Sequence, residues 1–284
     1  MHHVLRSAAY LAEIGRISRN LPPNGYDLSW EQFRRLHIPV PSLELQRRVA
    51  TFLDGQVSQI DRAIELRQRQ MDLTTERFLS LMWGHFSDPA GPAVPLRHLA
   101  WWVEGPGIGA ADFRDDGRPV IRLRGVKADT VTLDGCNYVD RSLAATRWAH
   151  LAIRAGELLI SGSGSVRFPV VVPASVDGAI PYTGLIRVGV RGSRTTRNFL
   201  RYFLGSPVFT SQIDKFKTGV GIQHWGPSHL SQISVAATAI ANQEAIVSAL
   251  EWAEAKQAGV LVAFSRSLKL LQERKQALTT AAVT

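Results

Sequence analysis

The chain has 284 residues, 45% of them apolar and 20% charged, with a net charge of +9 and a pI near 10.2. This is the composition of a folded rather than a disordered chain, and a basic balance of this size points to a polyanionic partner, most commonly nucleic acid. No run reaches the roughly 18 apolar residues a membrane span needs, and the lone Cys136 excludes internal disulfides and cysteine-rich zinc sites and favours a reducing cytosol.

The first twenty residues lack the basic, apolar, small-residue layout of a signal peptide. Residues 1–38 read as the tail of a domain: LRSAAYLAEIGRI returns later as LGSPVFTSQIDKF, laying Leu5 on Leu204, Ser7 on Ser206, Tyr10 on Phe209 and Ile14 on Ile213. A segment this short cannot build its own core. It is therefore expected to be the remnant of a first domain whose earlier part is missing. Each copy then passes a Gly-containing turn and reaches a short apolar strand, Leu36–Val40 and Ile233–Ala237.

Residues 39–86 carry the strand junction and a long helix, and this stretch is repeated at 238–284. Gln46 falls on Gln243, Val49 on Ile246, Leu53 on Leu250 and Ile64 on Leu261, all 197 residues apart. Ser42 is placed to cap the first helix. Val57, Ile60, Ile64, Met71, Phe78 and Leu81 follow alternating steps of three and four, with Arg67 and Thr74 in the polar gaps. Leu261, Phe264, Leu268, Leu271 and Leu278 keep the same phase, interrupted by Lys275. A narrow apolar seam of period 3.5 needs a partner helix. Two such seams in one chain predict an antiparallel coiled coil of helices about 40 residues, or roughly 60 Å, long.

Between the helices, residues 87–94 form a Pro/Gly/Ala linker and 95–237 a complete mixed α/β domain. The runs Val120–Val126, Glu157–Gly162, Pro169–Pro173 and Leu185–Val190 predict strands, with turns at Asp115–Gly117 and Gly162–Ser165. Asn198–Phe216 has helical periodicity and leads into the Gly-rich KTGVGIQHW. The expected fold class is α+β.

At this point the chain resembles the specificity (S) subunits of type I restriction–modification systems. IPVPSLELQRRVATFLD followed by QIDRAI is similar to the family's strand-to-helix junction, and LLQERKQALTTAAVT to its C-terminal helix. PVIRLRGV, GELLISGSGSV and KTGVGIQHWGPSHLSQI resemble landmarks of its target-recognition domains. The resemblance covers essentially the whole chain in order. It implies a non-catalytic, cytoplasmic subunit needing no cofactor, in which recognition domains read the halves of a split target on double-stranded DNA. It also implies two long helices that set the spacing and dock methyltransferase subunits, with a restriction motor as a further partner. The chain departs from that plan in its first recognition domain, so pairing with a second S chain or S fragment is the expected route to two reading heads.

DNA binding needs cations for phosphates and amide or guanidinium groups for base edges. Arg122 and Arg124, two apart in an expected strand, would share one face, with Lys127 next to them. Ser163, Ser165 and Arg167 offer a small-residue loop suited to close phosphate approach. Lys215, Lys217, Thr218, Gln223 and His224 combine a basic turn with a glutamine of the type that pairs with adenine. Each also has a plain reading as solvated surface or ordinary turn. For Trp225, a core position outweighs base stacking. Arg191, Arg194 and Arg197 form a further basic loop, and Arg47, Arg48, Arg62, Arg67 and Arg69 are expected on exposed helix faces.

Enzyme signatures fail. There is no nucleophile elbow, phosphate-binding loop or zinc helix motif, GPGIG is not a dinucleotide fingerprint, NLPPNGY is not the amino-methyltransferase motif, and Glu254-Ala-Lys256 falls on the heptad helix. Three other classes stay open: a coiled-coil scaffold without DNA binding, a nuclease, and a decayed fragment of the same fold.

Overall fold

A computed structural model describes residues 5, 7–20, 25, 27–37, 40–87, 92–162, 168–216, 225–236 and 238–282. The chain divides into two compact units, residues 1–76 with 256–284 and residues 77–255. The boundaries fall inside the two long helices.

The first unit contains α1 (Ala8–Ile17), the four-residue α2 (Trp30–Phe33) and most of α3 (Leu43–Ser87). As expected, Ser42 caps α3: its hydroxyl accepts the Leu45 amide at 3.4 Å and its carbonyl the Gln46 amide at 2.9 Å. At 45 residues, α3 is about 67 Å long at 1.5 Å per residue. Opposite it in this unit runs the C-terminal part of the 42-residue helix Ile240–Ala281. Asp61 receives an ion pair from Lys275 at 2.5 Å, while the Arg67 guanidinium lies 5.3 Å over the Phe264 ring. Numbers rising on one helix meet numbers falling on the other, so the pair is antiparallel. These contacts also explain the polar interruptions of the seam. Arg67 covers an apolar ring with its planar head, and Lys275 finds a carboxylate across the interface.

One seam position differs from the expectation. Leu81 is 39% exposed, whereas Met82 is fully buried. A straight α-helix drifts by about 20° per heptad against a 3.5 repeat. After Phe78 the buried position therefore falls four residues on rather than three, where α3 packs into the core of the second unit.

The second unit is the α+β body. β1 (Ala93–Pro95) is followed by β2 (Ala100–Glu104), β3 (Phe113–Arg114), β4 (Arg118–Ile121) and β5 (Asn137–Val139). A short helix, α4 (Arg141–Leu143), precedes β6 (Leu158–Ser161), β7 (Val170–Val171), β8 (Ile180–Pro181) and β9 (Leu185–Val190). Then come α5 (Arg197–Leu204), α6 (Pro207–Ile213), α7 (Pro227–Leu230), β10 (Ser234–Ala236) and α8 (Ile240–Ala281). One four-stranded sheet has the antiparallel order β2-β9-β6-β7; a second, β3-β5-β4-β8, ends in a parallel pair; β1 and β10 form a third, two-stranded ribbon. Strand β1 begins inside the stretch expected as linker, and residues 88–91 of that linker lie outside the described residues.

Alternation in the first sheet separates two cores. Leu158, Ile160, Ile186 and Val188 face the large cluster made with α5, α6, α7, Met82, Phe86, Val247 and Leu250, while Leu159 and Leu185 face Ile121, Val126 and Ile153. Phe86 meets Phe199 and Phe203 edge-on at 5.4 and 5.7 Å, a preferred aromatic geometry. Arg187, on β9, is only 6% exposed and is held by both oxygens of Glu157 at 2.7 and 2.9 Å and by the His150 carbonyl. That fully partnered pair is how a charge is tolerated in the sheet.

The sequence repeat is a structural one. Helix α1 matches α6, and α2 matches α7 with the same N-terminal bond: the Ser29 amide donates to Gln32 Oε1, the Gly226 amide to His229 Nδ1. Gln46 Nε2 donates to the Pro41 carbonyl at 2.8 Å, and Gln243 Nε2 to that of Thr238 at 3.0 Å. The strand expected at Ile233–Ala237 is β10, with residue 237 outside the described residues. In the first copy, residues 36, 37 and 40 carry no strand, and 38 and 39 lie outside the described residues.

Candidate nucleic-acid interface

Strand β4 stops at Ile121, and Leu123–Gly125 is a turn of 3-10 helix. Arg122 and Arg124 therefore do not share one strand face, because the chain leaves the sheet between them. The guanidinium of Arg122 lies 4.2 Å from the Tyr182 ring and 5.1 Å from that of Phe113, and its Nε donates to Asn137 Oδ1 at 2.8 Å. This half-buried cation clamps β3, β5 and the residue that follows β8. Phe113 and Tyr182 are too far along the chain from Arg122 for sequence periodicity to reveal the clamp.

Arg124 is exposed and lies over the backbone of Gly135, whose φ of +60° and lack of a Cβ leave room for the guanidinium. Lys127 is half-buried and pairs with Asp134 at 3.4 Å across the small loop closed by the Val126–Val131 bridge. A pair with its carboxylate exposed and its lysine half-exposed contributes little stability and is readily exchanged for another anion. Lys215 is exposed on the turn Asp214–Phe216 that follows α6.

Ser163, Ser165, Arg167, Lys217, Thr218, Gln223 and His224 lie outside the described residues. The residues that flank these two loops are described, and they touch. The Trp225 amide donates to the Gly162 carbonyl at 2.9 Å, and a Cβ on Gly162 would lie 2.5 Å from the Trp225 carbonyl oxygen. Gly162 is therefore needed for the close backbone approach that joins the start of one candidate loop to the end of the other. Trp225 itself is a core residue, 4% exposed and edge-on to Phe209 at 5.9 Å. Its Nε1 has no hydrogen-bond partner among the described residues.

The basic loop before α5 is fixed through its backbone. Gln243 accepts from Thr195 Oγ1 at 3.0 Å and from the Thr196 amide at 3.2 Å, and donates to the Arg194 carbonyl at 2.9 Å. Thr196 then caps α5 through the Phe199 amide. Arg191, Arg194 and Arg197 are all exposed, and Arg197 also reaches the Gly156 carbonyl at 3.4 Å. Further exposed cations, outside those that the sequence patterns single out, include Arg114 and Arg141; Arg141 is 3.8 Å from Asp116. Only clustering in three dimensions separates such residues from any other surface arginine.

Glu254 takes a bidentate bond from Arg201 at 2.8 and 3.1 Å and the Tyr202 hydroxyl at 2.6 Å. Burial disfavours its charged form, but the bonds from Arg201 and Tyr202 and the Arg201 charge outweigh that and hold its pKa below the usual value. Burial and the Glu254 contact raise that of Tyr202. Glu254 thus joins helix α8 to α5. Among the described residues, no cluster of His, Cys, Asp or Glu is arranged to hold a metal, and no helix is long and apolar enough to cross a membrane.

No family model and no curated protein sequence matches the chain. Solved structures do. A chain from a structure of the assembly and conformational transition of the type I R-M system is 17% identical, with a TM-score of 0.77 over 99% of this chain and 69% of that one. The HsdS subunit from Thermoanaerobacter tengcongensis is also 17% identical, with a TM-score of 0.56 over 99% of this chain and 68% of that one. The antiparallel long helices and the α+β body between them are thus the fold of type I restriction–modification specificity subunits.

Proposed function

We propose that this chain is a DNA-sequence-recognition subunit that directs methyltransferase subunits, and with them a restriction motor, to one part of a split target. The observation that carries this reading is the likeness over 99% of the chain to a protein of an assembled type I R-M system. The net charge of +9 supports it. In this reading the body of residues 95–237 reads base pairs and the long helices set spacing and dock the modification subunits. Arg124, Lys127 and Lys215 contact phosphate, together with the loops that begin and end at Gly162 and Trp225. Arg122 acts from behind, holding β3, β5 and the Tyr182 segment in place. The chain performs no chemistry itself.

Binding to a mixed-sequence duplex, followed by fluorescence anisotropy across a salt series, tests the electrostatic part. Arg124→Ala and Lys215→Ala each remove one phosphate partner, and each lowers the slope of log K against log salt by about 0.9. Binding that ignores salt and both substitutions favours the scaffold reading instead.

A further inference from the structure

Between β4 and β5 the chain leaves the sheet over residues 122–136, and this excursion is tied at three levels. At its base the Arg122 Nε donates to Asn137 Oδ1 at 2.8 Å. Farther out the Thr132 amide donates to the Gly125 carbonyl at 2.8 Å, and Val126 bridges Val131, with both valines buried. At the tip the Lys127 amide donates to the Thr130 carbonyl at 2.8 Å. A backbone held in this way presents its side chains before a ligand arrives, so less order has to be imposed on binding.

The two cations that the excursion exposes, Arg124 and Lys127, both come to rest on one turn. The Cys136 amide donates to the Leu133 carbonyl at 3.0 Å, which makes Asp134 and Gly135 the central residues of that turn. Lys127 Nζ lies 3.4 Å from Asp134 Oδ2. The Arg124 guanidinium occupies the space that a Cβ on Gly135 would fill, and the φ of +60° there is one that glycine adopts without strain. Adjacent residues thus seat the two cations by different means. Gly135 leaves room, and Asp134 supplies a charge. The Asp134 carboxylate is 71% exposed and Arg124 is exposed, so both cationic heads stay within reach of a ligand from solvent.

We propose that the turn Asp134–Gly135 positions the phosphate contacts of this chain: Gly135 parks the Arg124 guanidinium in its binding orientation, and Asp134 occupies Lys127 until a DNA phosphate displaces it. The Asp134 carboxylate stands in for the phosphate, and its own charge opposes the DNA backbone whatever the sequence. The turn therefore lowers affinity for non-specific duplex, which leaves base contacts to decide where the chain stays. That Arg124 and Lys127 meet phosphate rests on the proposed function; their seating on the turn rests on the geometry alone. Neighbouring residues then have opposite effects. Filling the space at Gly135 weakens binding, and neutralising Asp134 strengthens it.

The test measures binding of the full chain to a mixed-sequence duplex by fluorescence anisotropy across a salt series. Gly135→Asn keeps the left-handed backbone, which asparagine tolerates, and adds the Cβ that evicts Arg124. At roughly 0.1 M salt it lowers affinity by about tenfold, and it lowers the salt slope by about 0.9, as loss of one phosphate contact does. It has no further effect when Arg124→Ala is already present. Asp134→Asn raises affinity by about fivefold by freeing Lys127 and removing the opposing charge, and most of that gain disappears in Lys127→Ala. A gain in affinity does not come from misfolding, so this variant tests the turn independently of any loss of stability in Gly135→Asn. Parent-like binding by Gly135→Asn, or a loss that adds in full to that of Arg124→Ala, overturns the seat. Unchanged or weaker binding by Asp134→Asn, or an equal gain with and without Lys127, overturns the role of Asp134. Arg124→Ala and Lys127→Ala both without effect would contradict the phosphate contacts themselves, a different result from a turn that fails while those contacts hold.

Discussion

The two copies of the helix entry share a glutamine and a leucine at matching positions and end in different states. Gln46 and Gln243 make the same bond to the residue five positions earlier, yet Gln243 is 1% exposed and grips the loop before α5 with three further bonds, while Gln46 is exposed. Leu53 and Leu250 are both fully buried. Next to them the copies part: Val57 occupies the place of Glu254, whose carboxylate holds Arg201 and Tyr202. The helix seam is thus an autonomous property of the repeat. The polar anchors acquire value only where the α+β body rests on them.

That contrast can be tested by matched substitutions. Leu53→Ala and Leu250→Ala each remove a fully buried side chain, so each costs about 3 kcal/mol. Urea denaturation showing one of them to be neutral would mean that the two seams are not equivalent. Gln243→Ala strands the Thr195 hydroxyl and the Arg194 carbonyl and costs about 2 kcal/mol, against under ~0.5 kcal/mol for Gln46→Ala. Equal losses at both glutamines would erase the distinction.

Glu254→Gln weakens the link between α8 and α5 by about 1 kcal/mol, discounted because the group is one-third exposed. The sign of its pH dependence follows from the lowered pKa of Glu254: its contribution is complete above the usual 4.5 and is lost as pH falls through the depressed value. Melting temperatures of the parent and Glu254→Gln chains should therefore converge in acid, and divergence there would contradict the assignment. The smallest effect is expected for Lys275→Ala, under ~1 kcal/mol and shrinking with salt, since its bond to Asp61 is half exposed.

Much of this fold was legible in the sequence because periodicity and repetition are properties of residue order. The spacing from Val57 to Phe78 and from Leu261 to Leu278 announces the helix pair, and LIRVGV is β9 from end to end. Periodicity failed where α3 enters the core of the second unit, at Leu81 and Met82. It also failed at Arg122, because a strand of four residues gives no warning of where it stops. The candidate site was less legible. The sequence offers many cations but not their neighbours: Arg122 and Arg124 are alike on paper, yet one is clamped by Phe113 and Tyr182 and the other faces solvent. No spacing rule links Gly162 to Trp225, although their hydrogen bond brings the flanks of both candidate loops together.

The most direct test of DNA recognition is a methylome. The full chain is co-expressed with type I methyltransferase subunits in a host without DNA methylation, and the modified bases are mapped by sequencing. The expected result is methylation at one defined split motif, abolished when this chain is omitted. A co-purifying complex that methylates no motif, or the same motif without this chain, would contradict it.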